Sequence, residues 1–249
     1  MKRTVLTALV AAAALAVTGC GSMTAADCQL QSSANGPYAL KFTQAGAIAG
    51  AGCTTTDTPD VFGDLWTFDP YDNGLIVAFP SFPFSSLLPD PPDPHAAVYG
   101  KGKFTAGFPA QYETCTVESL KNDAGGPMDL GGGRSYAATN VVFLNTALYL
   151  GTTFKADVTY TNGACSRPYT VQALIPAHPC KVKEDCDPFA QPFSSGINSQ
   201  YDTECNLEPW ALAQGQIVVE DVIGDTYDGE GLCFFVGPFP GTGGWKPPQ

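Results

Sequence analysis

The strongest constraint on the fold is a run of alternating apolar and polar residues on both sides of the dipeptide Asn162-Gly163. TFKADVTY before it and YTVQALI after it place apolar side chains at every second position. This period of two is that of a strand with one buried face. Asn-Gly is the preferred dipeptide of a two-residue hairpin turn. The sequence therefore predicts an antiparallel hairpin in which Ala156 lies opposite Tyr169.

Short strands separated by turn residues continue along the chain. The 27 glycines and 21 prolines favour turns over long helices. This pattern predicts an all-β fold, and we expect an antiparallel β-sandwich, with a β-barrel as the alternative. One short helix is expected at 207–214 and a Pro-rich loop at 79–94. The other candidate strands are 38–42, 75–79, 96–99, 115–117, 136–144, 217–223 and 232–236.

The N-terminal 19 residues have the composition of an export signal. Two basic residues precede an uncharged apolar run that is shorter than the roughly 20 residues needed to span a bilayer. The signal ends in Val17-Thr18-Gly19-Cys20, an aliphatic residue, two small residues and a cysteine. This motif matches a lipobox, and the leader resembles those of bacterial lipoproteins processed by signal peptidase II. An ordinary signal peptide that leaves Cys20 as a plain thiol is the alternative.

The lipoprotein resemblance implies how the chain is held. Cys20 would carry a diacylglycerol, become the new N-terminus and receive a further acyl chain such as palmitate. Gly21, where an Asp would imply retention at the inner membrane, implies a periplasmic or surface-facing position on the outer membrane. Residues 20–27 would form a short tether. No cofactor other than this covalent lipid is expected.

Without Cys20, the eight remaining cysteines are an even number, which in an exported chain predicts four disulfides. The sequence does not select among the 105 pairings; we expect 28 with 53, 115 with 165, and two bonds among the last four. A metal site at CKVKEDC is the disfavoured alternative, because its spacing exceeds that of zinc knuckles. The predicted disulfide residues are Cys28, Cys53, Cys115, Cys165, Cys180, Cys186, Cys205 and Cys233.

The cysteine distribution also suggests how the mature chain is organised. Residues 28–175 would form the sandwich domain, 176–238 a loop-rich, disulfide-bonded extension packed on the same domain, and 239–249 a disordered tail. The mature part distantly resembles uncharacterised cysteine-rich bacterial lipoproteins. That resemblance implies no activity.

The net charge and the absence of catalytic motifs argue against nucleic-acid binding and against enzymatic activity. The net charge is −12, and it becomes −14 once Lys2 and Arg3 leave with the signal. Without a basic cluster, nucleic acid is not expected as a partner. The only histidines, His95 and His178, lie in turn-rich stretches, and no Gly-x-Ser-x-Gly, P-loop, dinucleotide or HExxH motif is present. We therefore expect no enzymatic activity.

Acidic turns provide weak candidates for calcium. FDPYDNG and GDTYDGEG combine oxygen ligands with tight turns, although neither matches an EF-hand loop and ordinary surface turns look the same. The candidate ligands are Asp69, Asp72, Asp225, Asp228 and Glu230.

Three functions therefore remain open, and one of them is a structural role in the envelope with no specific ligand. The favoured one is a lipid-anchored, non-enzymatic envelope protein that contacts the membrane through its lipid and binds an envelope protein, a glycan or an extracellular ligand. The alternative is an envelope hydrolase that acts on glycans through a pair of carboxylates. A cleft flanked by exposed aromatic side chains such as Trp66 or Trp210 would favour the hydrolase.

Overall fold

The computed structural model describes residues 28–31, 36–71, 74–82, 99–106, 114–146, 149–189, 195–197, 201–206, 217–220, 226–229, 231–236 and 239. Within them the chain forms fourteen β-strands and one 3-10 helix, Lys183–Cys186. The strands are β1 (Tyr38–Gln44), β2 (Val61–Pro70), β3 (Leu75–Phe82), β4 (Gly100–Lys103), β5 (Thr114–Leu120), β6 (Met128–Gly131), β7 (Arg134–Thr146), β8 (Tyr149–Asn162), β9 (Cys165–Leu174), β10 (Pro179–Cys180), β11 (Thr203–Asn206), β12 (Ile217–Glu220), β13 (Thr226–Gly229) and β14 (Gly231–Phe235).

Nine antiparallel strands form one sheet that curls into a nearly closed, barrel-like ring. The order is β4-β3-β2-β1-β9-β8-β7-β5, with β6 also paired to β7. The two ends of this order meet, because Lys101 and Lys121 exchange backbone hydrogen bonds of 2.7 and 2.9 Å. A second bridge joins Phe104 to Val117. The expected all-β antiparallel architecture is confirmed, and the sheet has the barrel form that the sequence left open beside the sandwich.

Two glycines allow the ring to close. A Cβ at Gly100 would lie 2.6 Å from the Sδ atom of Met128, and one at Gly102 would lie 2.3 Å from a methyl carbon of Val117. Both distances are too short for any side chain. Glycine inside a strand often marks such a close approach of two backbones. The sequence GKGK in β4 therefore brings this strand against β5.

Aromatic side chains fill the interior of the barrel. Phe42 stacks on Phe62 with ring centroids 4.3 Å apart, and Phe68 meets Phe143 and Phe154 edge to face at 5.2 Å. An eight-stranded barrel is just wide enough for side chains to fill it. The buried aromatic residues are Tyr38, Phe42, Phe62, Trp66, Phe68, Phe104, Tyr136, Phe143, Phe154, Tyr160 and Tyr169.

The predicted hairpin is present, but its register differs by two residues. Asn162 pairs with Cys165, so the two-residue loop is Gly163-Ala164, and Ala156 lies opposite Val171 instead of Tyr169. Gly163 has a φ of +60°, which suits the first central position of a type II′ turn. A shift of two residues keeps every side chain on its predicted face. The inward and outward faces are therefore as expected, whereas the cross-strand partners are wrong.

A three-stranded sheet of β10, β14 and β11 packs against the outside of the barrel. Strands β12 and β13 pair with each other in a separate sheet. We call β10, the 3-10 helix, β11 and β14 the disulfide module. Its buried residues pack against Leu144 and Leu174 of the barrel, and Phe239, placed in the tail by the sequence, is buried with them. The helix expected at 207–214 lies outside the described residues.

Candidate functional site

One end of the barrel holds the start of the described chain. Cys28 forms a disulfide with Cys115 at the beginning of β5, with a Cα–Cα distance of 5.8 Å. The side-chain amide of Asn145, at the end of β7, donates a hydrogen bond to the Gln29 carbonyl. We call this the Cys28 end; the tip of the β8–β9 hairpin and the loop at 45–60 lie at the opposite end.

At the Cys28 end, close packing against the barrel restricts the backbone positions of residues 29 and 30. Gly151 has a φ of +60°, and a Cβ there would lie 2.4 Å from the Cα of Leu30. Tyr38 donates its hydroxyl hydrogen to the Gly151 carbonyl. Leu30 is itself buried in the barrel core. The chain is therefore fixed to the barrel within a few residues of Cys28.

The opposite end is closed by the loop at 45–60. Cys53 in this loop is bonded to Cys165 at the hairpin tip. Tyr169 donates a hydrogen bond of 2.7 Å to the Pro59 carbonyl. The first two disulfides thus pair 28 with 115 and 53 with 165, so the expected pairs 28–53 and 115–165 are wrong. The physical reason is that Cys28 and Cys53 lie at opposite ends of the barrel.

A buried arginine holds the 45–60 loop. Arg167 donates to the carbonyls of Gly46 (3.1 Å) and Thr58 (3.0 Å) and to a carboxylate oxygen of Asp60 (2.6 Å). It also donates to the side-chain oxygen of Gln44. The guanidinium group thereby donates to two backbone carbonyls the hydrogen bonds that water would donate if they were exposed. Its role is to fix the loop rather than to offer a charge to a ligand.

A carboxylate lies on the inner face of the barrel. Asp64 is only 1% exposed, and it accepts hydrogen bonds from the Leu65 backbone N–H (2.7 Å) and from Nε1 of Trp66 (3.0 Å). Burial, and then the negative charge of Asp64, raise the pKa of the neighbouring Tyr136 well above its usual value. The carboxylate orients the Trp66 ring, and its burial keeps it out of reach of a substrate at the surface.

The disulfide module contains the other four cysteines. Cys180 is bonded to Cys205 and Cys186 to Cys233. The expectation of two bonds among the last four cysteines is confirmed. Together with the pairs at the two ends of the barrel, these account for all eight predicted disulfide residues.

The histidine and tryptophan candidates are placed as follows. His178 is half-buried, and burial lowers the pKa of its imidazole, with Asp185 acting in the opposite direction. Its carbonyl accepts a hydrogen bond from the Cys233 N–H. Trp66 is fully buried, so it is not one of the exposed aromatic side chains that would favour the hydrolase. His95 and Trp210 lie outside the described residues.

The calcium candidates stay predictions. Asp69 lies near the end of β2 and Asp228 on β13. Asp72, Asp225 and Glu230 lie outside the described residues.

Residues 36–176 match the model of a protein family described as MlpA. The chain belongs to the MlpA family. The match runs from just before β1 to just after β9, and thus covers the barrel and ends before the disulfide module. Membership of this family is consistent with a lipoprotein-type envelope protein. No curated protein and no solved structure matches the chain.

In the part of the chain that the structure describes, no helix is long and apolar enough to cross a membrane.

Sequence reasoning missed Asp64 and Arg167. The signal for Asp64 was an acidic residue between apolar ones in VFGDLWTF, a stretch not assigned to a strand. Arg167 gave no such signal, because its partners lie more than 100 residues away in the sequence.

Proposed function

We propose that this MlpA-family protein is an outer-membrane lipoprotein, attached through acylated Cys20, that binds a protein or glycan of the envelope without catalysing a reaction. The observation that carries the proposal is the attachment of Cys28 to one end of the barrel by the disulfide to Cys115. Seven residues separate Cys20 from Cys28. Fully extended, the eight steps from the Cα of Cys20 to the Cα of Cys28 span about 26–29 Å.

A short tether gives the barrel a defined orientation. The Cys28 end faces the bilayer, and the opposite end, with the loop at 45–60 and the tip of the β8–β9 hairpin, points away from it. Loops held on a rigid scaffold are common binding surfaces. The disulfide from Cys53 to Cys165 and the hydrogen bonds of Arg167 provide that rigidity. Because aromatic side chains fill the described interior, the proposed ligand binds to these outer loops.

Intact mass and membrane fractionation test the anchor. We expect the wild-type chain in the membrane fraction, with the signal removed, the mass of a diacylglycerol and an acyl chain added, and eight hydrogens missing for four disulfides. C20S should lose the lipid mass and leave the membrane, whereas S22A, two residues away, should behave as the wild type. A lipid-free wild-type chain, or membrane-bound C20S, would contradict the proposal.

Photo-cross-linking in intact cells tests the binding surface. A cross-linking residue at Ala51, an exposed position in the loop at 45–60, is compared with one at Ala137, an exposed position on the outer face of β7. We expect a discrete cross-linked species from position 51 alone. Protease sensitivity of the added mass indicates a protein partner, and sensitivity to a glycosidase indicates a glycan. Equal cross-linking from both positions, or none from position 51, would refute the assignment.

A further inference from the structure

The two disulfides of the module lie side by side. The Sγ atoms of Cys180, Cys186 and Cys233 are all within 4.8 Å of one another, although Cys180 is bonded to a fourth cysteine, Cys205. Three of the four residues are buried, and Cys205 is partly exposed. Cys205 is therefore the most exposed of the four cysteines, and the Sγ atom of its partner Cys180 lies against the second disulfide.

The strand register places the fourth cysteine of the cluster beside the second disulfide. Cys205 on β11 lies directly opposite Cys233 on β14. Each of these two residues is nevertheless bonded to a different cysteine, Cys180 and Cys186 respectively. A change of partners within the cluster would need movements of side chains and no change in strand order.

The two barrel disulfides have no third cysteine nearby in the described part of the chain. Cys28–Cys115 and Cys53–Cys165 lie at opposite ends of the barrel, and in the described residues only the module brings a third cysteine sulfur this close to a disulfide. A thiolate attacks a disulfide only where it can reach one of its sulfurs. Freed cysteines of the barrel thus have no neighbouring disulfide to attack.

We propose that the disulfide module is a thiol–disulfide exchange site for a dithiol reductant, with Cys205 as the point of attack and Cys180 as the internal nucleophile. The inference is independent of the lipid anchor and of the proposed binding function. It assigns a reactive role to cysteines that sequence reasoning treated as purely structural.

The exchange proceeds in three balanced steps. The thiolate of the dithiol bonds to Sγ of Cys205, and the Cys180–Cys205 bond breaks, with its electron pair leaving on Cys180. The Cys180 thiolate then bonds to Cys186 or Cys233, and the other sulfur of that pair leaves as a thiolate and takes a proton from solvent. Finally, the second thiol of the dithiol displaces Cys205. The dithiol loses two electrons, and the protein gains two thiols.

The variant C205S tests the internal step directly, because it leaves Cys180 as a thiol beside an intact disulfide. The purified chain is quenched in acid, alkylated and mapped by mass spectrometry. We expect the alkyl label on Cys186 or Cys233 as well as on Cys180. The matched control is C53S, which leaves Cys165 without a neighbouring disulfide and should carry the label on Cys165 alone. A label confined to Cys180 in C205S would overturn the proposal.

A measurement on the wild-type protein covers the case in which C205S does not fold. The protein is treated with less than one equivalent of dithiothreitol, quenched in acid, alkylated and mapped. We expect labels on Cys205 and on Cys186 or Cys233, with Cys180 retained in a new disulfide. Labels in equal amounts on Cys180 and Cys205 only, or on the barrel cysteines first, would refute the exchange.

Discussion

Replacing Arg167 by methionine tests whether the guanidinium group holds the 45–60 loop. The substitution keeps most of the apolar stem and removes every donor. The buried carbonyl of Thr58 and the partly buried carbonyl of Gly46 then lose their partner. An unsatisfied buried group costs about 1–3 kcal/mol, and a partly buried one costs less because water can reach it. The pair with Asp60 adds little, because the Asp60 side chain is 56% exposed. We therefore expect R167M to lower the free energy of unfolding by about 1–4 kcal/mol.

The measurement is urea unfolding followed by near-ultraviolet circular dichroism, with intact disulfides verified by mass. The matched variant is D60N, which removes the ion pair and leaves both carbonyl bonds, and it should cost less than about 1 kcal/mol. R167K should fall between the two, because an ammonium group lacks the planar fork that reaches several acceptors. If D60N costs as much as R167M, the ion pair rather than the carbonyl bonds holds the loop, and the reasoning fails.

Two further predictions concern the closure and the interior of the barrel. G102A should lower the unfolding free energy by about 1–3 kcal/mol, because the added Cβ would overlap Val117. In the same urea titration G126A should cost much less, because a Cβ added there would lie 3.6 Å from its nearest neighbour. Burial raises the pKa of Tyr160 and Tyr169 to about 12, so these tyrosines stay protonated in the folded chain while the unfolded chain ionises near pH 10. The urea midpoint should therefore fall as the pH rises from about 10 to 12, and a midpoint unchanged over this interval would contradict the assignment.

The strands with one buried face were predictable from the sequence. In β8 and β9 the alternation of apolar residues coincides with the alternation of buried positions. The error of two residues in their pairing arose at the turn. Gly163 occupies the first central position of the loop rather than the second. A two-residue shift preserves both faces, so the hydrophobic pattern carries no information about it.

Strand β2 was missed because it is buried on both faces. Phe62, Trp66 and Phe68 point into the barrel, while Leu65 packs against Leu232 in the cluster beneath β14. A strand covered on both sides does not alternate. Recognising it required knowledge that β14 lies over this part of the barrel, which is a property of the tertiary fold.

The disulfide pairing was not predictable because it depends on which end of the barrel each cysteine occupies. Strand β8 alone has 14 residues, roughly 45 Å of extended chain, whereas disulfide-bonded Cα atoms lie within about 7 Å. Cys28 and Cys53 are close in sequence, but a strand runs between their positions. In the module, by contrast, short elements keep the last four cysteines together, and the expectation of two bonds among them was sufficient.

The glycines of β4 also affect whether one copy of the chain can pair its sheet with the sheet of another copy. A sheet with two edge strands offers unpaired N–H and C=O groups to any neighbouring sheet, and a closed barrel has no edge strands. The backbone hydrogen bonds between Lys101 and Lys121 pair these groups at the junction between β4 and β5. At this junction, a neighbouring copy of the chain therefore finds no free backbone groups of Lys101 or Lys121 to which it could add a strand.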